Sequence, residues 1–87
     1  YQNSGEINFK IDDKQGAMDA VKDHFLASEK AVAFMDFDGY RVEFKDWWFN
    51  IRPSNTEPYL RFICEASDKT LLEEKIAKVR EIVESFS

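Results

Sequence analysis

Trp47-Trp48-Phe49-Asn50-Ile51-Arg52-Pro53-Ser54-Asn55-Thr56-Glu57-Pro58-Tyr59-Leu60-Arg61-Phe62-Ile63-Cys64 decides the reading of this chain. Two runs of alternating character flank a polar turn. Trp47, Phe49 and Ile51 fall on one side of the first run, and Trp48, Asn50 and Arg52 on the other. In the second run Leu60, Phe62, Cys64 and Ala66 share one side, and Tyr59, Arg61, Ile63 and Glu65 the opposite side. Period-two alternation with aromatic and branched residues predicts two strands, each half-buried. The segment between them is their hairpin loop.

That loop is rich in anion-binding chemistry. Ser54 and Thr56 carry hydroxyl donors, and successive backbone N–H groups in a turn form a concavity for an anion. Asn55 tolerates the left-handed conformation such a turn requires. Pro53 and Pro58 fix φ at both shoulders. Arg52 and Arg61 each present a planar fork suited to phosphate or carboxylate. From the residues alone the loop reads equally as an anion grip or as a turn whose Ser, Asn and Thr bond their own backbone. Parity favours the grip. If Ile51 and Leu60 face inward, Arg52 and Arg61 both leave from the open face. With Arg52 opposite Tyr59 the two arginines are diagonal neighbours, about 7–8 Å apart at Cα. Two cations that close call for an anion between them. Glu57 reads either as the carboxylate that orients an arginine or as a solvated loop residue.

Working outward, residues 6–11 alternate with Ile7, Phe9 and Ile11 inward, a half-buried strand. Residues 1–4 read as a frayed lead-in. Asp12 or Asp13 caps a helix over 13–28, with Met18, Val21 and Phe25 at helical spacing. His24, beside Phe25, has no ligand or triad partner at a recognisable spacing and reads as structural. Residues 30–37 predict a strand, Asp38-Gly39 a turn, and 40–45 a further strand with Val42 and Phe44 inward. Asp36 and Asp38 lack the rest of a metal loop, so turn chemistry is preferred there. Ser67 or Asp68 caps a last helix with the stripe Leu72, Ile76, Val79, Val83 and Phe86. The expected class is α+β, in the order β-α-β-β-β-β-α. Both helices lie on one face of a largely antiparallel sheet and the other face stays open.

Composition bounds the rest. Eighty-seven residues, 44% of them hydrophobic, make one domain over 1–87 with a single core. A net charge of −5 argues against a phosphate-backbone binder, while two placed arginines still create a local positive site. The lone cysteine, Cys64, excludes an internal disulfide and reads as a buried thiol. No apolar run reaches the length of a membrane span and no signal segment opens the chain, which fits a cytoplasmic protein.

The stretch from Arg52 to Arg61 resembles the phosphate-binding loop in the C-terminal domain of the α-D-phosphohexomutases, the phosphomannomutase/phosphoglucomutase family. Asp38-Gly39-Tyr40-Arg41-Val42, the run from Trp47 to Arg52, and Gly5-Glu6-Ile7-Asn8-Phe9 are also similar to that family's last domain. The resemblance implies a TATA-box-binding-protein-like fold. It implies that Arg52, Ser54, Asn55, Thr56 and Arg61 contact the non-transferring phosphate of a hexose 1- or 6-phosphate. The phosphoserine, the magnesium-binding aspartate loop and the sugar-selecting loop of that family lie in other domains. It therefore implies no catalytic residue, cofactor or metal here, with Mg2+ and a sugar bisphosphate intermediate belonging to a larger enzyme. The expected partners are a phosphosugar and the other domains of that enzyme, with neither nucleic acid nor membrane. Ser54-Asn55-Thr56 looks more like the phosphomannomutase/phosphoglucomutase group, since phosphoglucosamine mutases usually carry glycine where Asn55 stands; resting on one residue, this leaves the sugar open. The residues alone show no nucleophile–base pair and no dinucleotide fingerprint, so the chain by itself is expected to be inert. The competing reading is a stand-alone interaction module that docks a protein on the open face, through Trp48, Tyr59 and Ile63.

Overall fold

The computed structural model describes residues 1–37, 39–54 and 57–86. Its elements in chain order are β1 (Gln2–Asn3), β2 (Ile7–Lys10), α1 (Lys14–Ser28), β3 (Ala33–Met35) and β4 (Tyr40–Glu43). β5 (Trp47–Pro53), β6 (Tyr59–Ala66) and α2 (Lys69–Glu84) follow. β3, β4, β5 and β6 neighbour one another in that order, and β1 and β2 both pair along the outer edge of β6. Every pairing is antiparallel. The fold is α+β, and the order expected from the sequence holds with one addition.

That addition is β1. The segment read as a frayed lead-in supplies two residues that pair with β6, Gln2 with Ala66 and Asn3 with Glu65. β2 then pairs Ile7 with Phe62 and Asn8 with Arg61. Three residues, 4–6, thus face only two on β6, a one-residue bulge. Gly5 sits in it at φ 69°, a left-handed conformation that glycine adopts without a Cβ penalty. Ser4 stitches the bulge to β6: its N–H donates to the Cys64 carbonyl and its Oγ accepts from the Cys64 N–H, each at 2.9 Å. The expected strand over 30–37 is shorter, confined to Ala33–Met35. It is an edge strand with β4 as its one partner, and Phe37 beyond its last rung is 90% exposed.

The alternation read from the sequence is the alternation of burial. Phe9, Ile11, Val42, Phe44, Trp47, Phe49, Ile51, Leu60, Phe62, Cys64 and Ala66 are buried on the helix side of the sheet. They meet Ala17, Met18, Val21 and Phe25 of α1 and Leu72, Val79 and Val83 of α2. Each large side chain removed from water in this way contributes about 1.5–3 kcal/mol. Phe25 packs edge-on against Trp47 with centroids 4.8 Å apart, and Trp47 stacks on Phe44 at 4.9 Å. The buried indole is satisfied: its Nε1–H donates to Glu29 Oε1 at 3.0 Å, and Lys75 bonds the other oxygen of Glu29 at 2.7 Å. His24 lies edge-on to Phe25 at 4.9 Å, the structural placement expected of it. Both helices begin on the aspartate caps foreseen. Asp13 accepts from the Gly16 N–H at 3.0 Å, and Asp68 from the Leu71 N–H at 2.8 Å.

Candidate functional site: the β5–β6 loop and the open face beside it

The loop grows from the two longest strands and is fastened at its base. The Ser54 N–H donates to the Tyr59 carbonyl at 2.9 Å, extending the ladder past the last strand pair. The Ile11 N–H donates to the Pro58 carbonyl at 2.8 Å. Lys14, the first residue of α1, reaches across with its Nζ 3.2 Å from the Ser54 carbonyl and 3.2 Å from the Glu57 carbonyl. One ammonium group therefore gathers both shoulders of the loop onto the start of the helix. Asn55 and Thr56, the two other loop residues assigned to phosphate contact, lie outside the described residues.

The register brings the arginines closer than the sequence reading placed them. Arg52 pairs directly with Arg61, and Pro53 with Leu60, rather than Arg52 with Tyr59. The two Cα atoms are thus cross-strand partners about 4.5–5.5 Å apart. The correction has a simple origin. Ser54 bonds to Tyr59, so the pairing continues two residues further along the first strand than the sequence reading assumed. Same-face parity holds: Ile51 and Leu60 are buried against the helices, and Arg52 and Arg61 leave from the other side. Arg52 is half-buried and Arg61 exposed. Among the described residues, none takes a hydrogen bond or ion pair from Arg61.

The backbone of Arg52 also rests against Gly39. A Cβ on that glycine would lie 2.6 Å from the Ile51 carbonyl oxygen, 2.6 Å from the Arg52 Cβ and 2.9 Å from its Cα. Gly39 has φ 101°, so both its conformation and its clearance require the absence of a side chain. The sequence marked Asp38-Gly39 as a turn. The glycine is described and Asp38 is not.

Two adjoining clefts open beside the arginines. One, of about 300 Å³, is lined by Glu6, Asn8, Ser54, Glu57, Tyr59 and Arg61. The other, of about 190 Å³, is lined by Glu6, Asn50, Arg52, Arg61, Phe62 and Ile63. Ser54 and Glu57 thus line the first cleft, Arg52 the second, and Arg61 both. Glu6, Asn8 and Lys14 were not singled out by sequence reasoning. Glu6 and Asn8 reach the site because β2 lies along β6, and Lys14 because α1 begins beside the loop, placements that no local pattern reveals. Lys10, the exposed rung partner of Tyr59, lines a separate cleft with Arg80 and Glu84 of α2. Further along, the Arg41 guanidinium lies over Trp48, 4.1 Å from the ring centre, and bonds Glu43 at 2.9 Å.

The site is a pair of facing guanidinium roots and a braced hydroxyl-bearing bend above a polar cleft. Such an arrangement has the donors and the charge that an oxyanion ligand would need. Among the described residues no three His, Cys, Asp or Glu side chains gather into a metal-holding group. No helix among the described residues is long and apolar enough to cross a membrane.

Comparison with known proteins meets this geometry. The sequence profile of the family described as "Phosphoglucomutase/phosphomannomutase, C-terminal domain" matches residues 6–82. A phosphomannomutase of Methanocaldococcus jannaschii is 40% identical over 83 residues, covering 95% of this chain and 18% of its own length. A probable phosphoglucosamine mutase of Pyrococcus furiosus is 37% identical over 70 residues, covering 80% of this chain and 16% of its own. The crystal structure of a phosphoglucomutase/phosphomannomutase family protein from Burkholderia thailandensis shares the fold. Its TM-score is 0.64 at 23% identity, over 97% of this chain and 17% of that one. The chain thus spans less than a fifth of the length of the curated relatives it matches. With the profile covering nearly every element from β2 to α2, this chain belongs to the phosphoglucomutase/phosphomannomutase family, as its C-terminal domain.

Proposed function

We propose that this chain grips the non-transferring phosphate of a phosphosugar while chemistry proceeds at the sugar's other end. The observation that carries the reading is the direct pairing of Arg52 with Arg61 on the open face, at the root of the loop. Two guanidinium groups rooted on facing rungs concentrate positive charge and N–H donors where one oxyanion can bridge them. Ser54 is described in the cleft beside Arg61, and Asn55 and Thr56 complete the proposed contact set. Glu57 lines the same cleft and is proposed as a carboxylate that orients the cationic side chains.

In the reaction proposed for the whole enzyme, a phosphoserine on another domain transfers its phosphoryl group to the free hydroxyl at C1 or C6. The resulting bisphosphate turns over, and the opposite phosphate returns to the serine. Magnesium, which no residue of this chain is proposed to hold, would supply charge stabilisation from another domain. This domain adds position: an anchored phosphate fixes the distance and angle of the far hydroxyl, and such orientation lowers barriers without chemistry of its own. The class is therefore an intramolecular phosphotransferase of carbohydrate metabolism, an isomerase acting in the cytoplasm. The isolated chain is expected to be inactive.

The test is titration of the 87-residue chain with inorganic phosphate and glucose 1-phosphate, followed by amide NMR. Binding on the order of millimolar is expected, with shifts gathered at 52–61. Arg52→Ala should abolish them while leaving the remaining spectrum folded. An unresponsive spectrum at about 50 mM ligand, far above a millimolar Kd, refutes the grip.

A further inference from the structure

We propose that Glu6, with Asn8 beside it, forms a hydroxyl-reading subsite next to the phosphate grip, so that the domain recognises a polyol phosphate rather than phosphate alone. The inference rests on the grip reading above and deepens it. Glu6 lines both clefts, and Arg61 is the residue it shares them with. The two are not paired with each other. Among the described residues Glu6 gives no ion pair, and Arg61 gives neither an ion pair nor a hydrogen bond. A free acceptor and a free cation therefore face the same space. A bare phosphate satisfies the cation and is repelled by the carboxylate. A ligand that joins an anion to hydroxyl groups satisfies both, because an ionised carboxylate accepts strong hydrogen bonds from O–H donors.

The backbone is shaped to place that carboxylate there. The register of β1, carried on unbroken, would set Glu6 opposite Phe62, on the helix side of the sheet. The bulge at 4–6 inserts one residue and turns Glu6 onto the face that holds Asn8 and Arg61. Re-aiming one side chain is a recurrent use of such bulges. Asn8 pairs directly with Arg61 and lines the larger cleft, where its amide offers one donor and one acceptor group.

The experiment compares methyl phosphate with glucose 6-phosphate, in the wild-type chain and in Glu6→Ala and Asn8→Ala. Both residues are exposed, so these variants keep the fold. The wild type should prefer glucose 6-phosphate by about fivefold, the worth of one charge-assisted hydrogen bond in a wet cleft. Glu6→Ala should erase that preference while binding methyl phosphate at least as tightly, since a repelling charge is gone. Asn8→Ala should reduce the preference by about half. A wild type that binds methyl phosphate without preferring the sugar ester overturns the subsite and leaves the grip standing. So does a Glu6→Ala variant that keeps the preference or strengthens both ligands alike. No binding of either ligand by the wild type overturns both.

Discussion

Gly39→Ala tests whether the position of Arg52 depends on the close approach of β4 to β5. The new methyl carbon would sit 2.6 Å from the Ile51 carbonyl oxygen and 2.9 Å from the Arg52 Cα. Neither is the free end of a side chain, so relief requires the end of β4 to lift from β5. Lifting strains the bond from Asn50 Nδ2 to the Tyr40 carbonyl, at 3.2 Å, and the rung pairing Tyr40 with Ile51. A non-glycine residue at φ 101° costs about 1–3 kcal/mol, and each weakened hydrogen bond adds about 1 kcal/mol. Together they amount to about 3–5 kcal/mol, which in a domain of this size lowers Tm by roughly 12–40 °C. Gly5→Ala is the internal control. Its Cβ meets nothing within 4 Å at φ 69°, so only the conformational cost of about 1–2 kcal/mol applies. Thermal melts by circular dichroism rank the two variants, and phosphate titration reads the site. Gly39→Ala should also weaken phosphate binding by about tenfold, whereas Gly5→Ala should leave Arg52 and its loop in register. A Gly39→Ala chain that melts within about 3 °C of the wild type and binds phosphate equally well refutes the reasoning.

Lys14→Met removes the bridge between the Ser54 and Glu57 carbonyls. Faster hydrogen exchange at Ser54 and Tyr59 and severalfold weaker phosphate binding are expected, with Lys14→Arg restoring most of both; unchanged exchange counts against the brace. Burial pushes the Cys64 thiol from its ordinary value of 9.0 up to about 11. Below pH about 9 the thiol is neutral in folded and unfolded chains alike. Between pH 9 and 11 the unfolded chain sheds its proton first, so stability falls with rising pH, by up to about 1.4 kcal/mol per unit. Denaturant unfolding of the wild type and Cys64→Ala across this range should show that slope in their difference; a flat difference refutes it.

The parts of the fold legible in the sequence were those governed by local period. Trp47, Phe49 and Ile51 announce an inward face by alternation, Leu72, Val79 and Val83 do so by helical spacing, and Asp13 and Asp68 cap where short polar side chains precede apolar runs. Parity also fixed that Arg52 and Arg61 share a face. Register was another matter, because the rung on which a hairpin closes depends on the bond from Ser54 to Tyr59. Long-range pairing was silent for a related reason. Nothing within Gln2–Asn3 shows that it pairs with β6, and nothing in Glu6 or Lys14 shows that β2 and α1 begin beside the loop. The site residues that were missed all arrive from that distant edge.

The facing of Arg52 and Arg61 on neighbouring rungs has a mechanical corollary. Their anchor points are geared to the spacing of a hydrogen-bonded ladder, which stays constant while the sheet remains folded. Letting go of a held anion therefore does not come from those anchors drawing apart. It comes from the guanidinium ends swinging on their own flexible stems, or from the entire sheet backing away from its cargo as a rigid palm.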